Sequence, residues 1–450
     1  MSGSPIATCG SEPIEQYLQP FRAFFQSKTT AGILLIFSAV LALVWANSPW
    51  GHTYLTVWET KFTVGYGAAE LSKPLILWVN DGLMAVFFFV VGLEIKREFM
   101  VGELSTRSQA ILPIAAAVGG MVVPASIYAA VNFGGPGISG WGVPMATDIA
   151  FALGILALLG DRVPYQLKIF LTAVAIVDDL GAVLVIALFY TSDISFLLLL
   201  TSLGLLVVAF VGNRMGVRSP YFYLAVGAVI WVAVLKSGVH STIAGVLMAF
   251  AIPARTPCDS DSFELNMDNA MEGYRSSLSG GVSVLTNHAM QNALLSVENI
   301  AKRAQTPLQR LEHGLHSLVD YGIMPIFALA NAGVVLSADM GPLLASDVTI
   351  GTALGLFVGK PIGILLSVWA IVQLMGGLPA GLRWRHFIGA GFLAGIGFTM
   401  SLFIAALAFK GEAAMLTSAK TAILGASTLA GVVGFFILRS MPAPKRRPSG

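Results

Sequence analysis

The stretch LKIFLTAVAIVDDLGAVLVIALF, residues 167–189, decides how the chain is read. It is an apolar run long enough to cross the hydrocarbon core of a bilayer, which takes about 20 residues of helix. Two carboxylates, Asp178 and Asp179, stand almost at its midpoint. A charged side chain at that depth costs roughly 2.5 to 3.5 kcal/mol on insertion scales, so such residues mark function by default. Adjacent helical residues point about 100° apart, so the two acids cannot share one partner symmetrically.

Similar runs recur on both sides of this one. Candidate spans lie near 31–47, 75–93, 109–132, 143–160, 166–190, 195–212, 220–236, 239–253, 320–337, 349–375, 387–409 and 418–439. Those near 143, 239 and 320 are short or interrupted, which leaves ten or eleven crossings open as well as twelve. The composition agrees: of 450 residues 56% are hydrophobic and only 11% charged, with a mean hydropathy of +0.79. Soluble domains carry charge on about a quarter of their residues, so soluble globular and disordered chains are excluded. A net charge of +2 gives no reason to expect a nucleic-acid partner. Cys9 and Cys258 are far apart and belong to no metal-binding spacing, so no disulfide framework, zinc site or cofactor is expected. The N-terminus lacks a basic region followed at once by an apolar run and a cleavage site, so the first run is read as a retained span.

Cytoplasmic loops hold the excess of Lys and Arg. With twelve spans, Lys96, Arg97 and Arg107, then Arg162 and Lys168, Arg214 and Arg218, Arg383 and Arg385, and the tail from Arg439 to Arg447 all fall on one side, with both termini. The other side receives Lys61, Lys73, Lys236, Lys410 and Lys420. The expected fold is therefore an all-α polytopic membrane protein of about 12 transmembrane helices with both termini cytoplasmic. It divides into an N-terminal segment 1–30, helices one to eight over 31–253, a cytoplasmic insertion 254–319, helices nine to twelve over 320–439, and a basic tail 440–450. The insertion carries Asp259, Asp261, Glu264, Asp268 and Glu272, a Ser/Gly stretch, and then a segment with Leu285, Met290, Leu294 and Ile300 that reads as a surface helix. It is taken as a solvated hairpin, with a regulatory or dimer-contact role as the other reading.

Beyond the central pair, Asp81, Asp148 and Lys360 fall within spans, and Glu94, Arg97 and Glu98 at the end of the second. One of the paired acids is expected to answer Lys360, the other to face a water-filled cavity with Asp148. Three acids against one base exceed what packing needs. A carboxylate withdrawn from water holds either a proton or a cation, and carboxylate oxygens are hard ligands suited to small, hard cations. Proton and cation competing for the same oxygens is the chemistry of an exchanger. Neighbouring acids titrate as a coupled set, and Lys360, once its carboxylate is taken by a cation, becomes a proton carrier.

The fourth and eleventh spans look discontinuous. WGVPMATDIAFALGILALLG holds Pro144, Thr147 and Asp148, and HFIGAGFLAGIGFTMSLFIAALAF holds four glycines before Thr399. Interrupted helices at corresponding places in two halves suggest inverted repeats around a site at mid-membrane, although glycines in such helices also serve close packing. Opposed half-helix ends carry partial charges of roughly half a unit, which Asp148 would offset at the positive ends and Lys360 at the negative ones.

These motifs resemble the bacterial sodium/proton antiporters of the NhaA type. The resemblance runs through WVNDGLMAVFFFVVGLEIKRE (78–98), ATDIAFALG (146–154), AIVDDLGAVLVIALFY (175–190), LKSGVHSTIAGV (235–246), LEHGLHSLVDYGIMPIFALANAGV (311–334), GKPIGI (359–364) and GIGFTMSLFI (395–404). It implies a secondary transporter, not an enzyme, that expels Na+ or Li+ across the bacterial inner membrane by taking in more than one H+ per cation. It further implies pH regulation, a role in sodium and pH homeostasis, and a homodimer. Residue by residue, it makes Asp179 the main cation ligand and Asp178 the partner of Lys360. Asp148 with Thr147 supports the site, and Glu94, Arg97, Glu98, Glu312, His313 and His316 form a cytoplasmic cluster linked to pH activation. His240 matches a position associated with pH response, and Asp81 one on the periplasmic side. The insertion 254–319 is much longer than the short basic loop of the best-known members, so their pH set-point is not carried over.

An imidazole titrates near pH 6.5, and His313 and His316 lie three apart on one helical face with Glu312. His52, His288 and His386 read as solvated or interfacial. Among rival readings, an intramembrane aspartyl protease lacks its GxGD signature, the nearest stretch being Leu158-Leu159-Gly160-Asp161. A cation channel or proton sensor and a symporter on a similar scaffold remain as alternatives to exchange.

Overall fold

The structure, a computed structural model, describes residues 28–65, 70–191, 194–256, 259–278, 287–335, 341–379 and 381–442. Cys9, Cys258, Leu285 and most of both terminal segments lie outside these residues.

The described chain is almost wholly helical. α1 (Lys28–Ala46) is followed, after a sharp turn, by the short α2 (Gly51–Glu59). An antiparallel ribbon, β1 (Lys61–Val64) and β2 (Leu71–Pro74), comes next, with Lys61 opposite Pro74. α3 runs over Leu75–Val101 and contains a π-helical turn, Trp78–Leu83. α4 (Arg107–Val131) leads to a 3-10 segment, Pro136–Met145, and α5 (Ile149–Leu159). Then follow α6 (Tyr165–Phe189), α7 (Phe196–Arg214), α8 (Pro220–Lys236) and α9 (Thr242–Ala251). α10 (Ser260–Ser276) pairs with α11 (His288–Ala304). α12 (Pro307–Leu318) passes through a π turn, Val319–Ile323, into α13 (Met324–Asn331). α14 covers Asp347–Met375 with a third π turn, Gly355–Gly359. α15 (Trp384–Ala394), α16 (Phe398–Ala408) and α17 (Ala413–Arg439) complete the chain.

Among the described residues seven helices are long and apolar enough to cross a membrane, or up to nine if each of two bent pairs counts as one span. One of these pairs is α15 with α16, bent by 44°. The outer surface fits a hydrocarbon solvent. α7 buries Ser202, Leu206 and Ala209 and turns Leu197, Leu200, Leu203 and Val207 outward, Leu197 being 75% exposed. A contiguous apolar face of that kind is not left to water.

Inside, α3 lies along α9, and α4 packs against α6 and α14. The α4–α14 contact depends on glycine, because a Cβ on Gly363 would strike the backbone of Gly119. Lys96 of α3 donates to the Phe250 and Ile252 carbonyls, tying the last turn of α9 to α3. Arg162 donates to the Arg439 carbonyl at 3.3 Å, so the ends of α5 and α17 meet.

Three features differ from the reading of the sequence. The helix of the ninth span begins at Pro307, because Arg310, Glu312, His313 and His316 on α12 conceal its start from a hydropathy window. The acidic stretch after residue 258, read as loop, forms α10, whose N-cap Asp259 accepts from the Ser262 N–H at 3.1 Å. The ribbon β1–β2 had no signal among the apolar runs.

Candidate functional site

Pro136, Gly137, Gly140, Gly142 and Pro144 deny the chain before Asp148 a regular α-helix, through missing donors and weak helix propensity. The chain passes Ala146–Asp148 extended and restarts as α5, with Asp148 as N-cap accepting from the Phe151 N–H at 3.0 Å. The second break, at Gly395–Gly397 between α15 and α16, lies against the first. Asp148 N–H donates to the Ile396 carbonyl at 2.7 Å. The Thr147 hydroxyl donates to the Ala394 carbonyl at 2.9 Å, and the Ser401 hydroxyl to the Val143 carbonyl at 2.8 Å. Gly397 must be small here: a Cβ would sit 3.0 Å from the Ala146 carbonyl.

The two breaks therefore satisfy one another's stranded backbone groups, as burial demands. They also leave helix ends facing charges. The N-terminal ends of α5 and α16 both point at Asp148, whose Oδ2 accepts from the Thr399 N–H at 3.1 Å and from the Thr399 hydroxyl. The C-terminal end of the 3-10 segment faces Lys360, whose ammonium donates to the Met145 carbonyl. Each charge is opposite in sign to the dipole end it meets.

Lys360 follows the π turn of α14 and is completely buried, in an ion pair with Asp178 Oδ2 of α6. Asp179, next along the helix, is buried too, and both its carboxylate oxygens find no hydrogen-bond partner among the described residues. Unlike Asp148, which has three donors, and Asp178, which has an ammonium, Asp179 holds hard oxygen ligands in reserve. A cavity of about 140 Å3 reaches Asp148 and Thr399 from Glu94, Arg97, His316 and Asp320.

The Na+/H+ antiporter 1 family model matches residues 22–438. The Na(+)/H(+) antiporter NhaA of Oleidesulfovibrio alaskensis is 53% identical over 440 residues, 98% of each chain. The Na(+)/H(+) antiporter NhaA 2 of Syntrophotalea carbinolica is 50% identical, covering 95% of this chain and 98% of its own. The NhaA antiporter of Koribacter versatilis is 48% identical, over 95% and 92%. The chain belongs to the Na+/H+ antiporter 1 family. It is a multi-pass membrane transporter, not an enzyme.

Two further groups of ionisable side chains stand at the two ends of α3 in this family member. At one end Arg97 pairs with Glu312 and with Glu98 at 3.0 Å. His316 bridges Glu94 at 3.6 Å and Asp320 at 3.3 Å. His313, one helical step aside, is exposed and makes no ion pair or hydrogen bond among the described residues, so the structure does not join it to this cluster. At the other end Asp81 pairs with Lys73 at 2.9 Å and lies 3.9 Å from His240. His240 also meets the Thr242 hydroxyl at 2.9 Å and the Phe403 ring of α16 edge-on.

Sequence reading missed several participants. Asp320 has no place in the sequence reading, although Glu312, His316 and Asp320 follow a four-residue step down one helix face. Thr399 was noticed only as a break. The reciprocal amide pair Asn80–Asn331, at 2.9 and 3.3 Å, joins the π turn of α3 to the end of α13 and had no sequence signal. His386, read as solvated or interfacial, is buried and accepts the Arg383 N–H at 2.9 Å at the start of α15.

Proposed function

We propose that this protein exchanges internal Na+ or Li+ for external H+ electrogenically and under pH control, for sodium and pH homeostasis. The observation that carries the reading is the Asp179 carboxylate, buried beside an ion pair with both oxygens unengaged among the described residues. A carboxylate this deep does not stay charged and alone: it binds a proton or a cation, and one excludes the other. Na+ is the substrate, held chiefly by Asp179 with Asp178, while Asp148 and Thr147 support the site. When the cation draws an Asp178 oxygen away, Lys360 loses its partner and gives up a proton. Asp179 releases a second on cation binding, which accounts for more than one H+ per Na+. Lys360 and Asp148 also compensate the helix ends at the crossing of the breaks.

The cluster of Glu94, Arg97, Glu98, Glu312 and His316 is the proposed pH-sensing mouth, with His313 on its rim, and Asp81 with His240 is the proposed opposite exit. Lys and Arg placement supports both termini, the insertion 254–319 and the tail 440–450 on the cytoplasmic side of a bacterial inner membrane. The family resemblance supports a homodimer. The test is Na+-dependent dissipation of an imposed pH gradient in proteoliposomes across roughly pH 6 to 9, the range bracketing histidine. Exchange that also generates a membrane potential supports the reading. A folded, inserted protein that leaves the gradient intact would overturn it.

A further inference from the structure

The π turn of α14, Gly355–Gly359, directly precedes Lys360. The sequence GLFVGKPIG, residues 355–363, explains why it forms there. Pro361 has no N–H to give to the Phe357 carbonyl one turn earlier, and its ring presses on that carbonyl. The chain answers by taking in one residue more than an α-helical turn holds. The Lys360 N–H reaches past Leu356 to the Gly355 carbonyl, an i→i−5 bond.

An extra residue changes direction as well as bonding. Successive α-helical residues point about 100° apart, so everything after the turn is rotated by about that much from where an unbroken helix would carry it. Both halves of α14 are held at this setting by different neighbours. Before the turn, the Thr349 hydroxyl donates to the Ser418 carbonyl of α17 at 3.3 Å. After it, Gly363 lies on the Gly119 backbone of α4, and Pro361 on Gly391 of α15, where a Cβ would come within 3.1 Å of the Pro361 Cα. Lys360, at the junction, meets Asp178 Oδ2 and the Met145 carbonyl. Leu356, passed over by the Lys360 N–H, has its carbonyl against the break between α15 and α16, 2.6 Å from where a Gly395 Cβ would stand.

We infer that Pro361 is the positioning residue of the Lys360–Asp178 pair: its missing N–H keeps the π turn open, and the open turn aims Lys360 at the site. With an N–H at position 361 the ladder can close, and closing it swings the Lys360 side chain by about 100° relative to the half of α14 before the turn. A buried ammonium moved off its carboxylate has no water to replace it, and the acid left behind is stranded in turn. Pro361 touches neither cation nor transported proton. It acts through Lys360, by fixing the base from which that side chain reaches.

Only the transport arm of the test rests on the exchange reading. Pro361→Ala keeps the Cβ that meets Gly391 and restores the N–H. It should slow Na+-dependent exchange in proteoliposomes about 100-fold, the scale on which small misplacements of a reacting group act. The second arm is thermal unfolding in detergent, with Asp178→Asn made in both backgrounds. In the wild type this change strands Lys360 and should lower the midpoint. In Pro361→Ala, where the pair is already apart, it should leave the midpoint level or raise it, a reversal that a merely structural proline would not produce. If Pro361→Ala is recovered unfolded, the same comparison is made in Pro361→Gly, which restores the N–H with less drive to close the helix. Wild-type exchange in the variant, or an equal drop in midpoint in both backgrounds, overturns the inference. Absence of exchange in wild type would instead overturn the function, and the unfolding comparison would still decide the role of Pro361.

Discussion

Thr399 gives both its backbone N–H and its hydroxyl to a single oxygen of Asp148, on the far side of a helix break from its own. The other oxygen of Asp148 caps α5. One carboxylate thus fastens the first turns of two half-helices, and the positive ends of both converge on it.

Thr399→Val should therefore loosen the crossing. It removes one hydroxyl donor from a buried charged acceptor, a loss of about 1.5–3 kcal/mol. Thermal unfolding in detergent should show a lowered midpoint, and Na+-dependent exchange should fall with it. A variant as stable and as active as wild type would mean that the backbone N–H alone suffices.

Asp179→Asn should separate function from stability. With no donor engaged among the described residues, this carboxylate contributes no contact that the amide loses. The unfolding midpoint should stay at or above the wild-type value while exchange drops to the level of empty vesicles. Retained exchange would remove Asp179 from the site.

Lys360→Ala should behave in the opposite way. It strands a fully buried Asp178, and breaking a buried pair by removing one partner costs about 3–5 kcal/mol. Adding Asp178→Asn should recover most of that loss without recovering transport. Unfolding midpoints of the two singles and the double give the coupling directly.

Asn80→Leu and Asn331→Leu test the bond between the π turn of α3 and the end of α13. Each single change leaves a buried amide without its mate, at a cost of about 1–3 kcal/mol. The double variant should lose less than the two singles summed. Strict additivity would show that the pair is not a unit.

How much of this could be read from residues alone follows from what each feature is made of. Asp178, Asp179, Asp148 and Lys360 stood out because a charge among twenty apolar neighbours has no ordinary explanation. The breaks announced themselves through Pro144 and the glycines before Thr399. Pairing did not: the residues by themselves leave open which of Asp178 and Asp179 meets Lys360, because that depends on how α6 is rotated against α14, and only the family resemblance named Asp178. The start of α12 was hidden because a helix that carries a charged cluster fails any test of apolarity. α10 was hidden because its acids suit a solvated helix face as well as a loop. The Asn80–Asn331 pair lies 251 positions apart in the chain, beyond any local pattern.

The Leu308 N–H donates to the Pro253 carbonyl at 3.2 Å, where the chain leaves the end of α9 and returns at the start of α12. The two edges of the excursion between them are thereby clasped, and the membrane bundle is closed behind it. Closing a longer loop onto such a clasp adds little entropy cost, since each doubling of length costs only about 0.6 kcal/mol. Residues 254–307 thus behave as a graft on a finished joint. A change of length in α10 or α11 should therefore put little strain on the bundle beneath them.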